Sequence, residues 1–409
     1  MRKTAVFGAL FFTIFVDFFN LGLIYPLFTS LVFEGQGSLI PLDASSFYKN
    51  CVFGLLIAAF PFGQFLGAPY IGQLSDRHGR RKLLLLSLLG TIATLLICAL
   101  GTYLANLPLI LLGRFLGGVM AGNMTLAYAS LADLSPPAEK VKNFALVPLA
   151  IGLGFALGPY LAAILMETTP FASPVLPLLF ATLLGGVNFG WIAWKFPEMP
   201  TLEEKKGNAL CGPFTILIKA VQTAQLRPYL FILFLMISAN LLFCQFVGPL
   251  AIDRLHFTVL DVGYLYANIG FSVALGHLFL TPWFAKRTTS AQALGGSLTA
   301  LAFCIALLLL ASNPFLFHLA TSLTLLACAV AYTNAMALVS NQAAADNQGE
   351  IMGVAVSVQS LAEFLPATLL APFAAFAQTI PIIAALFSAV LAYLFLRPLQ
   401  LPITVKKET

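Results

Sequence analysis

The chain has 409 residues, 60% of them hydrophobic and only 9% charged, where a soluble domain carries about 25% charge. So few charges cannot make a water-soluble surface, and lipid is the expected solvent for most of the exterior. The net charge of +5 is not read as a nucleic-acid signal. Gly (31 residues) and Pro (24) fit the same reading, since both are commoner in membrane helices than in soluble ones.

A membrane helix needs about 20 apolar residues. That ruler predicts spans near 4–33, 48–74, 82–104, 107–132, 141–166 and 174–195. After a polar stretch it predicts spans near 226–251, 261–284, 291–312, 315–341, 350–377 and 379–397. Arg2 and Lys3 lead into an apolar stretch far longer than a signal-peptide core, so the first segment is expected to be a retained helix. Pro366, Pro372 and Pro381 interrupt the last two spans and make them the least certain in outline. The fold class is therefore an all-α membrane protein of about twelve spans. Residues 1–195 are read as an N-terminal six-helix half, 196–225 as a cytoplasmic linker and 226–409 as a C-terminal six-helix half. Within the linker, Phe214–Lys219 reads either as a short amphipathic helix on the membrane face or as an unstructured stretch.

Basic residues give the orientation. With the N-terminus in the cytoplasm, that side holds Arg2, Lys3, Arg77, Arg80, Arg81, Lys82, Lys140, Lys142, Lys195, Lys205, Lys206, Lys219, Arg227, Lys286, Arg287, Arg397, Lys406 and Lys407, 18 of the 21. Lys49 and Arg254 fall outside, and Arg114 lies within a span. Both termini are therefore expected to be cytoplasmic. The compact loops suggest a bacterial inner membrane.

Between the second and third spans lies Gly72-Gln73-Leu74-Ser75-Asp76-Arg77-His78-Gly79-Arg80-Arg81-Lys82. Gly79 permits a tight turn and the arginines can anchor the loop to anionic headgroups. The run resembles the G-x-L-x-D-R-x-G-R-[RK] signature loop of the major facilitator superfamily. The resemblance implies a gate latch of Gly72, Asp76, Arg77, Gly79, Arg80 and Arg81. Asp133 and Glu350, at the inner ends of their spans, are candidate partners for those arginines. The equivalent loop of the second half, Phe284-Ala285-Lys286-Arg287-Thr288-Thr289-Ser290, keeps only the basic pair, so the latch is expected mainly in the first half.

Further stretches carry the resemblance along the chain. Arg114-Phe115-Leu116-Gly117-Gly118 in the fourth span is similar to the family's R-x-x-x-G pattern. Gly154, Gly158 and Pro159 in the fifth span resemble the antiporter signature G-x-x-x-G-P, without its later glycines. Ala132–Pro137 and Asn347–Gly353 resemble the tetracycline/proton antiporter branch. The family implies two parallel repeats around a central path lined by spans 1, 4, 7 and 10. On those spans and the eleventh, the candidate cavity residues are Asp17, Asn20, Tyr25, Asn123, Tyr128, Asn240, Phe243, Gln245, Asn334 and Gln359.

Asp17 and Glu363 are the acids deepest in apolar runs, and an ionisable group within the membrane is a functional hypothesis by default. They are the proton-coupling candidates together with Arg114. Two further readings stay open: Asp17 as a permanent ionic partner of Arg114, and Arg114 snorkelling to the headgroups. Lone His277 and His318 are read as packing residues. Pro26 and Pro249 are read as kinks.

The expected function is secondary active transport, with export of small amphipathic compounds against protons ahead of proton-linked import or facilitation. A receptor, an enzyme or an ATP-driven pump lacks support, since no HExxH, GxSxG or P-loop pattern occurs. The expected partners are a small-molecule substrate, protons and the lipid bilayer, with no nucleic acid, for a monomer. No cofactor or metal is implied. Cys51, Cys98, Cys211, Cys244, Cys304 and Cys328 form no Cys/His cluster, and a proton gradient is the expected energy source.

Overall fold

Lipid offers the backbone no hydrogen bonds, so each apolar stretch satisfies its own N–H and C=O groups as a helix. The computed structural model describes residues 2–34, 39–41, 43–134, 147–168, 172–198, 212, 214, 218, 222, 225–342 and 348–400. Among these residues there is no strand. The first six spans are built from α1 (Arg2–Thr29, continued by a π-helical turn Ser30–Glu34), α2 (Ser46–His78), α3 (Arg80–Tyr103), α4 (Leu107–Val119), α5 (Asn123–Leu134), α6 (Val147–Glu167) and α7 (Leu176–Lys195). The second six are α8 (Arg227–Leu255), α9 (Val259–Leu275) with a π-helical turn (Gly276–Leu280) and α10 (Thr281–Ala285), α11 (Ser290–Leu310), α12 (Pro314–Ser340), α13 (Gln348–Leu370) with a 3-10 turn (Ala371–Ala375), and α14 (Thr379–Gln400).

Eleven of these stretches are long and apolar enough to cross a membrane. The fourth span differs from its expected outline. It is two short helices, α4 and α5, separated at Met120–Gly122. Gly117, Gly118 and Gly122 weaken the helix there, each costing up to about 1 kcal/mol relative to Ala. The polar groups freed by the break are met from the third span: Ser87 Oγ donates to the Met120 carbonyl and accepts from Gly122 N–H at 3.2 Å. Pro366 is carried inside α13, Pro372 falls in the 3-10 turn that ends it, and Pro381 lies in the first turn of α14.

Helix ends on the face opposite the termini (the far face) are capped by side chains. Asn106 accepts from Leu109 N–H at 3.0 Å, Asn313 from Leu316 N–H at 2.9 Å, and Thr258 shares a capping box with Asp261.

The halves meet along two seams of small residues. In one, α6 lies against α9, where a Cβ on Gly263 or Gly270 would run into Ala163 or the Ala156 backbone, and one on Gly152 would overlap Ala274. In the other, α2 lies against α13, with Gly54 against Ala371 and Phe364 packed on Phe62 and Phe65. Such seams let backbones approach closely, which is how helices associate without a hydrophobic driving force.

Toward the far face, α1 is buried at every residue from Gly22 through Thr29, and α8 from Leu242 through Ala251. A helix with no free side is packed all round. Tyr25 stacks on Tyr266 with ring centroids 4.9 Å apart, and Phe53 meets Phe246 edge-on at 5.9 Å, so aromatic pairs from the two halves seal this end.

Candidate functional site

A cavity of about 460 Å³ lies at the centre, beneath the aromatic seal. Its walls come from spans 1–5 of the first half and 7, 8, 10 and 11 of the second. The lining follows helical period. On α8 it is Ile237, Asn240, Leu241 and Cys244, and on α12 Leu325, Cys328, Ala329 and Tyr332, the i, i+3, i+4, i+7 stripe of one helix face.

Of the residues expected from sequence, Asp17, Asn20, Tyr25, Asn123, Asn240, Gln359, Glu363 and Arg114 line this cavity. Three expected residues do not. Phe243 is fully buried among the packed side chains. Gln245, one position past the cavity stripe, donates to the Glu363 carbonyl at 3.2 Å. Asn334 is two positions beyond Tyr332, about 200° round the helix, and donates to the Val330 carbonyl of its own helix at 2.8 Å. Selecting polar residues one by one picked Asn334, whereas a 3.6-residue stripe drawn through α12 finds Tyr332. The Tyr128 side chain lies outside the described residues.

The first-half wall centres on Asp17. Asn123, at the start of α5, donates to its carboxylate at 3.0 Å and to Thr91 Oγ1 at 3.1 Å. The second-half wall centres on Glu363. Gln359 donates to its carboxylate at 3.2 Å, and Tyr332 OH donates to Gln359 Oε1 at 3.1 Å. Among the described residues, neither acid forms an ion pair. Each is held by a neutral amide at the cavity wall.

Arg114 is 8% exposed and does not snorkel to the headgroups. Its guanidinium stacks over Phe60 at 4.7 Å and lies 5.6 Å from the Phe28 ring, and Nε donates to the Leu56 carbonyl at 3.4 Å. It makes no ion pair with Asp17 or with any other described acid. The sequence-based reading of Asp17 as its ionic partner is therefore not the arrangement in this structure, where Asp17 has Asn123 instead.

His277, read from sequence as packing, lines the cavity, with Nδ1 3.4 Å from Thr333 Oγ1. His318 stacks on Phe257 at 5.8 Å, away from it. Asn20 also faces the cavity, with both amide atoms buried and no hydrogen-bond partner among the described residues. Gln64 and Thr94, on spans 2 and 3, were missed because the family's layout directs attention to spans 1, 4, 7 and 10.

The fifth-span glycines turn out to be packing positions. A Cβ on Gly154 would strike the Phe15 carbonyl, one on Gly158 that of Phe19, and Pro159 packs on Gly22. In the loop between the second and third spans, Gly79 adopts φ 93°, open to glycine but strained for other residues, and it ends α2 and starts α3 at once. Arg80 donates to Ser75 Oγ at 3.2 Å. Arg81 reaches the end of the sixth span, donating to the Ala193 carbonyl at 2.7 Å and lying 3.8 Å from the Glu198 carboxylate. The side chains of Gly72, Asp76, Arg77, Asp133 and Glu350 lie outside the described residues.

A twelve-span bundle of two six-helix sets around a central cavity with a few polar groups in a mostly apolar wall is the build of a secondary transporter. The sequence model of the Major Facilitator Superfamily matches residues 10–367, and the chain belongs to that family. It is therefore a transporter and not an enzyme. Among curated proteins, it is 27% identical to the class C tetracycline resistance protein of Escherichia coli over 90% of this chain and 89% of that one. It is 35% identical to major facilitator superfamily domain-containing protein 10 of Bos taurus and 32% identical to the class B tetracycline resistance protein of Escherichia coli. Each of these two matches spans only 42% of the relative's length. Among solved structures, it superposes on the human organic anion transporter MFSD10 with TM-score 0.73 at 24% identity, over 96% of this chain and 99% of that one. It superposes on the D-xylose-proton symporter with TM-score 0.75 at 16% identity, over 97% of both.

Proposed function

We propose that this transporter is a proton-coupled exporter that moves small amphipathic compounds by alternating access. The observation that carries the reading is the pair of carboxyls, Asp17 and Glu363, one on each half's wall of the central cavity, each held by an amide and neither ion-paired among the described residues. An ionisable group within the membrane and facing a cavity is a candidate for proton exchange when a ligand arrives or the cavity changes its exposure. A wall that is mostly apolar with a few fixed polar groups suits an amphipathic compound. The relatives named for tetracycline and quinolone resistance support export over uptake, and the MFSD10 structure, titled an organic anion transporter, supports an organic solute. The basic residues support cytoplasmic termini, and the Escherichia coli relatives support a bacterial inner membrane. We take the monomer as the working unit, with residues 1–195 and 226–409 as its two halves.

The test is transport in proteoliposomes under an imposed pH gradient. An antiporter accumulates its compound when the lumen is acidic, whereas a symporter expels it under the same gradient. Asp17→Asn and Glu363→Gln should each reduce gradient-driven accumulation at least tenfold while leaving the protein folded. If both variants accumulate the compound as the unaltered protein does, proton coupling through these carboxyls is refuted.

A further inference from the structure

The two seams between the halves end differently at the far face. The α6–α9 seam ends on Gly263 against Ala163 and on the Tyr160–Tyr264 ring pair. The α2–α13 seam ends on a polar contact. Beyond Gly54 and Ala371, α13 gives way to the 3-10 turn Ala371–Ala375, which packs on α2, and α14 begins only at Thr379. Gln378, the last residue before α14, donates from Nε2 to Asn50 Oδ1 at 3.1 Å. Asn50 is 1% exposed, and its Nδ2 donates to the Ser46 carbonyl at 2.9 Å. Gln378 Oε1 is buried with no hydrogen-bond partner among the described residues. The second half is thus tied to the start of α2 by one hydrogen bond, beside one stranded carbonyl.

We propose that Ala371–Gln378 is a strap across the outer mouth, and that the Asn50–Gln378 bond is its clasp, setting how much of the protein has its far face closed. The inference rests on the alternating-access part of the reading above and on no particular substrate or proton step. A contact kept only for stability pairs both ends of a buried amide, because an unpaired polar group in a dry seam is costly. Here one end is paired and the other is not. The bond favours closure and the stranded carbonyl opposes it, so the closed state forms without being locked. When the far face opens, water reaches both amides and the stranded carbonyl is relieved. The strap can also move without unwinding a long helix. Pro366 in α13 and Pro372 in the 3-10 turn each lack the N–H that would tie the backbone to the turn before.

The distance between spin labels at positions 103 and 315 tests this in the purified full chain with its native cysteines replaced. Tyr103 and Phe315 are exposed at far-face helix ends, one on each half. Without further substitution the labels should report mainly one short distance. Asn50→Ala strands both ends of the Gln378 amide in the closed seam and should raise the ratio of long to short distances about tenfold. Gln378→Ala removes the bond and the stranded carbonyl together and should raise it less. Asn50→Ala/Gln378→Ala should open the far face less than Asn50→Ala alone, because no Gln378 amide is left to strand. Thermal melting of each variant separates an opened mouth from a lost fold. The inference is overturned if folded Asn50→Ala keeps the short distance, even with a lowered melting point, which is the mark of a purely structural contact. It is also overturned if the double variant opens as far as Asn50→Ala or further. Gly54→Ala, whose added Cβ would overlap Ala371, wedges the same seam without touching the clasp. If Gly54→Ala lengthens the distance and Asn50→Ala does not, the clasp is refuted and alternating access stands. If neither lengthens it, the far face does not open and alternating access fails with the clasp.

Discussion

The fourth and tenth spans begin alike and end differently. Both start on the far face with an asparagine cap and a proline in the first turn: Asn106 before Leu107-Pro108, and Asn313 before Pro314. The tenth continues unbroken for 27 residues as α12. The fourth stops after 13, as α4, and restarts as α5 past Met120–Gly122. The difference lies in the middle of each span. Where the fourth has Gly117, Gly118 and Gly122, the tenth has Thr324, Leu325 and Ala329 at the same distances from its cap, none of them a glycine. The break places Asn123 at the head of α5, with its amide on Asp17. On the other wall, Glu363 is held by Gln359 one turn away on the same continuous helix. One carboxyl is thus positioned by a junction between two helices and the other within a single one. Rearrangement at Met120–Gly122 changes the surroundings of Asp17 directly, and no comparable junction exists beside Glu363.

The largest effect should come from filling the close contact beside the break. A Cβ on Gly118 would overlap the Phe60 carbonyl, so Gly118→Val must push α2 away from α4. Overpacking against a backbone atom costs about 3 kcal/mol. Thermal melting in detergent should show a fall of several degrees or loss of folded protein. The control is Gly296 on α11, which nothing approaches within 4 Å. Gly296→Ala should leave melting unchanged or raise it slightly, by roughly 0.5–1 kcal/mol from helix propensity. Equal destabilisation at the two sites would mean that the close approach of α2 and α4 does not matter.

A smaller effect is expected at the brace. Ser87 bonds both a carbonyl and an N–H of the break, which otherwise have each other, Gly122 N–H donating to the Met120 carbonyl at 2.7 Å. Ser87→Ala should cost about 1–3 kcal/mol. Because the brace holds the start of α5, it should also slow transport more than Ser322→Ala, which removes a second-half hydroxyl bound to Asn268 at 2.9 Å. If both variants transport equally well, the junction is not a mechanical part of the Asp17 site.

The spans and the turn between the second and third were legible in the sequence because each rests on a local signal. These are an apolar run of about 20 residues and a glycine at a turn whose φ is 93°. The break in the fourth span was not legible. Three glycines in a membrane helix are equally compatible with close packing, and the Ser87 contact that braces the break comes from another helix. The acids Asp17 and Glu363 stood out because a charge in an apolar run is rare. Their partners did not, since Asn123 lies 106 positions from Asp17 and the Tyr332–Gln359 contact joins residues 27 apart. The glycines of the fifth span were visible, but the helix they pack against was not. Their resemblance to an antiporter signature was legible, and what the structure adds is that Gly154 and Gly158 seat α6 against α1.

The smallest effect is the most direct comparison of the two spans. Asn106 and Asn313 each satisfy one N–H of a proline-started helix, and replacing such a cap by Ala costs typically about 1 kcal/mol. They cap different helices with no shared partner, so in Asn106→Ala/Asn313→Ala the two losses should add to within about 0.5 kcal/mol. They should not be equal, however. α12 has 27 residues and a long packed surface to hold it when its first turn frays, whereas α4 has 13 and ends at the break. Asn106→Ala should therefore lower the melting point more than Asn313→Ala, and adding Ser87→Ala, which loosens the other end of α4, should cost more than the sum of the two single losses. Simple additivity there would mean that α4 is held by its packing against α2 and α3 alone, and that its two ends act independently.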